Sequence, residues 1–62
     1  MYWYAEWIGD RGMKEEAQTD KGRSHLERYT GVEIGSGKLM LRIEPISRRD
    51  FEYNEKRGMK TV

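Results

Sequence analysis

Hydrophobic and polar positions alternate along most of this chain, and the alternation divides it into short elements. Residues 2–8 read Tyr-Trp-Tyr-Ala-Glu-Trp-Ile, a β-prone run in which Trp3, Ala5 and Trp7 share one face and Tyr2, Tyr4 and Ile8 the other. Gly9-Asp10-Arg11-Gly12 is turn chemistry, so the run predicts a strand that returns as a hairpin. The returning segment, Met13 to Thr19, alternates Met13, Glu15 and Ala17 against Lys14, Glu16 and Gln18, and reads as a second strand. Its composition would also suit a helix.

Ser24-His25-Leu26-Glu27 matches a capping box, and Gly31 is a stop signal seven residues after Ser24, which predicts a helix of about two turns with Leu26 and Tyr29 facing the core. Val32-Glu33-Ile34 and the 39–43 run Leu-Met-Leu-Arg-Ile flank Gly35-Ser36-Gly37-Lys38, a second hairpin signal. Strict alternation would place Leu39, Leu41 and Ile43 on the core face and Met40, Arg42 and Glu44 on a wetter one. Pro45 stops that strand because it has no N–H for the ladder. Ser47 then opens a predicted helix from about 48 to 57 with Phe51 as its apolar anchor; an extended segment built on Phe51 and Tyr53 is the alternative. Met59 to Val62 read as frayed.

The expected fold is therefore a small single α+β domain spanning 1–62, with a four-stranded, mainly antiparallel sheet of two hairpins and two short helices. An SH3-like small β-barrel is the alternative if the helical readings at 25–30 and 48–57 fail. The expected core is Trp3, Trp7, Leu26, Tyr29, Val32 or Ile34, Leu39, Leu41, Ile43 and Phe51.

Composition then narrows the function. In 62 residues only ten are Leu, Ile, Val or Phe, but two Trp, four Tyr and one Phe add buried area that the aliphatic positions lack. A chain this size buries about 60% of its unfolded surface, the marginal end for a monomer, so oligomerisation or a partner is expected. Twelve Lys and Arg against eleven Asp and Glu leave a net charge of +1, too little for strong non-specific nucleic-acid binding. With no Cys and one His, no disulfide or Cys/His metal site is available, and no cofactor is expected. Neither a signal peptide nor a membrane span is legible, and the expected location is the cytoplasm.

No catalytic constellation emerges. His25 follows a helix cap and reads as a solvated side chain, while Glu15 and Glu16, adjacent on a strand, point to opposite faces. Gly35-Ser36-Gly37-Lys38 fails as a phosphate loop, because Val32 and Leu39 occupy the positions that would need Gly and Ser or Thr. The leading expectation is a non-enzymatic protein-interaction module that binds a larger protein or self-associates, a size and polarity that suit small regulators or inhibitors of the phage or mobile-element type. The alternative is a small nucleic-acid-binding module. Candidate partner-binding residues are Tyr2 and Tyr4 on the aromatic strand, for hot-spot or stacking contacts, and the basic cluster Arg48, Arg49, Lys56 and Arg57.

Overall fold

The structure, a computed structural model, describes residues 1–32 and 37–62. Strand β1 (Trp3–Ile8) is followed by β2 (Lys14–Thr19), helix α1 (Arg23–Thr30), strand β3 (Leu39–Pro45) and helix α2 (Arg48–Lys56). The sheet is antiparallel with order β2-β1-β3, so the aromatic strand is central. Among the described residues there are three strands rather than four, and the sheet is not closed into a barrel. The strand expected at 32–34 falls largely on residues 33–36, which lie outside the described residues.

The first hairpin forms as the turn chemistry dictates. The Gly9 N–H donates to the Met13 carbonyl and the Gly12 N–H to the Gly9 carbonyl, with Gly12 at a φ of 74° that a side chain would resist. Register then pairs Ala5 with Ala17 and Trp7 with Glu15. The 13–19 segment is a strand despite its helical propensity, because pairing with β1 buries Ala17, Gln18 and Thr19.

On the Trp3/Ala5/Trp7 face, α1 lays Leu26 against Ala5, Trp7 and Ala17. Leu26, Ala5 and Ala17 are fully buried, and Trp3, Val32, Met40, Ile43 and Val62 pack around them. The capping box does not form. Helix α1 begins at Arg23 with Gly22 as its cap, at a φ of 95° and with no side-chain cap bond, so Ser24 lies inside the first turn. The Thr19 hydroxyl, which accepts from the Lys21 N–H, turns the chain early enough for Gly22 to start the helix. Gly31 ends it in the left-handed conformation, as its position predicted.

β3 departs from simple alternation. A bulge shifts the register between Glu6 and Trp7, so Glu6 faces Arg42 while Trp7 faces Met40, and Leu41 is the extra residue. Met40 thereby joins Ile43 on the core face, and Leu39 and Leu41, expected in the core, are 61% and 46% exposed. Tyr29 is also largely outside, with its ring edge-on to Trp7 at 6.2 Å between centroids.

Helix α2 lies on the opposite face of the sheet. The Ser47 hydroxyl accepts from the Asp50 N–H, the cap that the sequence predicts, and Phe51 packs on Tyr2 at 4.6 Å. The C-terminus is not frayed: Thr61 bridges in parallel to Gln18 along the outer edge of β2, and Val62 returns to the core. This short strap is held because the Gln18 N–H donates to the Lys60 carbonyl and the Val62 N–H to the Gln18 carbonyl, both at 2.9 Å.

Candidate functional site

Two surfaces remain after the core is built: the polar face of the sheet beside α2, and the outer edge of β3. The polar face follows from the register. Glu6 sits opposite Glu16 on β2 and Arg42 on β3, and two carboxylates directly opposite would repel. Tyr4, two residues along the same face, relieves them. Its hydroxyl lies 2.6 Å from Glu6 Oε2 and 3.0 Å from Glu16 Oε2, with its single proton shared unequally toward Glu6. Lys14 Nζ at 3.2 Å and Arg42 Nε at 3.7 Å complete the cage around Glu6, and Arg42 Nη1 reaches Glu44 Oε1 at 3.3 Å.

These contacts set the ionisation. The Tyr4 hydrogen bond holds the Glu6 carboxyl below its usual range, with Lys14 and Arg42 adding to the effect against the opposing cost of burial. Burial raises the Tyr4 phenol above its ordinary value, and its bonds to Glu6 and Glu16 raise it further. The folded state therefore keeps the Tyr4 proton where the unfolded chain releases it, near pH 10, so stability present below that pH is lost as pH rises past it. Glu6 acts at the other end: its contribution is present above the unfolded carboxyl range and fades as pH falls through the depressed folded value. Between pH 9 and 11.5, urea midpoints of the wild type are expected to fall more steeply than those of Tyr4→Phe. Parallel slopes would show that the phenol is free of the carboxylates.

Beside this cage, Tyr4, Arg42, Glu44, Ile46, Asp50, Asn54, Arg57 and Met59 line a shallow groove of about 240 Å³ between the sheet and α2. Of the partner-binding candidates, it brings together Tyr4 and Arg57. The others are placed separately. Tyr2 is half-buried under Phe51, Arg48 pairs with Glu52 at 3.3 Å, and Arg49 and Lys56 stand exposed, seven residues apart on α2. Arg57 lies over the Tyr53 ring at 5.4 Å and donates to Asn54 Oδ1. Lys60, the next cation along the chain, sits on the other side of the sheet with its ammonium 5.5 Å from the Tyr29 ring. Among the described residues no group of His, Asp and Glu has the arrangement to hold a metal ion, and no helix is long and apolar enough to cross a membrane.

The second surface was not legible in the sequence. Among the described residues β3 ends the sheet on one side, and Leu39 and Leu41 stand exposed on it. Met13, 66% exposed, lies at the same end of the sheet but beside the far strand, since Lys14 and Leu39 flank Ile8 from opposite sides. The bulge that turned the leucines outward leaves no periodic trace, because strict alternation reads them as core.

No family model, curated protein or solved structure matches the chain.

Proposed function

We propose that this chain is a non-enzymatic protein-interaction module that docks through the β3 side of its sheet. The supporting observation is an asymmetry between the two sheet edges. The outer edge of β2 is met at Gln18 by the chain's own C-terminal strap, whereas among the described residues β3 has no strand on its outer side and presents Leu39 and Leu41 there, beside the bulge, Arg42, Glu44 and Pro45. Exposed apolar side chains on an edge strand suit strand addition, where main-chain bonds supply affinity and alternate side chains supply specificity.

The polar groove supports this reading over catalysis. Its arginines are already engaged, Arg42 by Glu6 and Glu44, Arg57 by Asn54 and Tyr53. The same face argues against nucleic acid, since the Tyr4 ring ends between the carboxylates of Glu6 and Glu16, which would repel a phosphate backbone brought there for stacking.

A peptide-display selection on the immobilised protein tests the proposal. Selected peptides should lose at least about tenfold in affinity to Leu39→Glu/Leu41→Glu, a fall of about 1.4 kcal/mol. Because both leucines are exposed, the variant should keep its stability within about 0.5 kcal/mol. Peptides that bind the variant as well as the wild type would place the docking surface elsewhere.

A further inference from the structure

We propose that the occupant of the β3 edge is a second copy of this chain, paired antiparallel about a twofold axis at Ile43; the inference rests on the edge-docking reading above. The backbone indicates which groups are on offer. The Ile46 N–H donates inward to the Tyr2 carbonyl at 2.9 Å. Inward and outward residues alternate along an antiparallel ladder, so Glu44 and Arg42 also face β1, while the amide and carbonyl of Ile43 and the carbonyl of Pro45 face outward. A twofold axis at Ile43 therefore joins Ile43 to Ile43 of the second copy by two reciprocal N–H to carbonyl bonds. The Pro45 carbonyl of each copy can accept from the Leu41 region of the other, while proline has no N–H to donate in return, so this pair contributes one bond instead of two.

Side chains select the same register. Pairing about Ile43 sets Arg42 of each copy opposite Glu44 of the other, giving two opposite-charge pairs on the polar face and an Ile43 pair on the α1 face. An axis at Arg42 would oppose two arginines, and one at Glu44 two glutamates. An axis at Leu41 fails for another reason: the bulge puts Met40 on the core face and Arg42 on the polar face, so the residues brought opposite would point to different sides. The Arg-Ile-Glu centre of β3 is thus complementary in charge to its own reverse.

Arg42 and Glu44 are about half exposed, at 56% and 47%, so each keeps an open side toward the axis besides its contacts within the chain. The contacts of α2 run to Tyr2 and Gln18, toward the β1 and β2 side. Across the joined sheet, the polar row would run Glu16, Glu6, Arg42, then Glu44, Tyr4 and Gln18 of the second copy. The shared strand is only about five residues long, so the dimer should be weak and dependent on concentration.

Sedimentation velocity from about 10 µM to about 1 mM, repeated with charge reversals, is the test. Wild type should move from monomer to dimer over this range, and Glu44→Arg should weaken dimerisation about tenfold or more, because two attractive pairs become repulsive. Arg42→Glu alone should do the same. Mixing the two variants should restore association, since each heterodimer pair is again opposite in charge. Should Arg42→Glu fail to fold beside Glu6, wild type and Glu44→Arg suffice when joined to amide exchange: the Ile43 N–H should exchange more slowly as wild-type concentration rises, and not in Glu44→Arg. Wild type that stays monomeric to about 1 mM, a dimer indifferent to Glu44→Arg, or an Ile43 amide indifferent to concentration would each overturn the proposal. If wild type is monomeric while selected peptides still depend on Leu39 and Leu41, self-pairing falls and edge docking stands; if neither is seen, both fall.

Discussion

Gln18→Ala is expected to destabilise the domain by about 3 kcal/mol and to release α2 before the rest of the fold. Gln18 is fully buried and every polar atom it carries is bonded. Its side-chain Nε2 donates to the Phe51 carbonyl at 3.0 Å and to Thr61 Oγ1 at 3.2 Å, and its Oε1 accepts from Asn54 Nδ2 at 3.2 Å. One amide therefore ties β2 to both α2 and the C-terminal strap. Alanine keeps the two backbone bonds to the strap but removes three side-chain bonds at about 1 kcal/mol each; the Phe51 carbonyl keeps its place in the helix ladder, while the Asn54 amide and the Thr61 hydroxyl lose a partner. A domain of this length has about 3–9 kcal/mol in total, so the loss is a large share of it. Urea unfolding gives the global change, and amide exchange should show residues 48–56 losing protection while α1 keeps its own. A change below about 1 kcal/mol, or an even loss of protection, would mean that Phe51 on Tyr2 holds α2 without the amide.

Leu26→Ala should cost about as much, about 3 kcal/mol, through a different cause. Leu26 is the one hydrophobic side chain that α1 buries completely, and it fits over Ala5 and Ala17, two small residues facing each other across β1 and β2. Neither alanine has atoms to fill the space left behind, so the site should collapse poorly, which puts the substitution within the range of about 2–5 kcal/mol for Leu→Ala in cores. Trp7, in the same cluster, supplies the readout: its emission should shift to the red and the urea midpoint should fall together. An unchanged midpoint would show that α1 is held mainly by Trp3 under Arg23 and by the Tyr29 contacts on its rim.

Both residues carry more than their sequence positions suggest, and for a shared reason. In Lys-Glu-Glu-Ala-Gln-Thr, alternation shows that Gln18 and Ala17 point to opposite faces, and nothing local shows that both faces are covered. The cover on the Gln18 side comes from residues 33 to 43 positions away. Tyr4 is similar. Alternation places it beside Glu6, but the sharing of its one hydroxyl proton between two carboxylates depends on Glu16 arriving from the other arm of the hairpin.

Most elements that short-range chemistry governs were legible, the capping box expected at Ser24 being an exception. The aromatic strand, the Gly-Asp-Arg-Gly turn, the end of α1 at Gly31 and the Ser47 cap of α2 each follow from the conformational needs of a few adjacent residues. So does the α+β class, since these elements are short and alternate in kind. What only the tertiary structure decided is where the surfaces lie. A single bulged residue on β3 exchanged Met40 for Leu41 at the core and turned two leucines outward, and three terminal residues joined one sheet edge at Gln18, while no described strand pairs with the other. Both outcomes depend on pairings between distant segments, where one residue of slip moves every following side chain to the other face, and no local pattern records the slip.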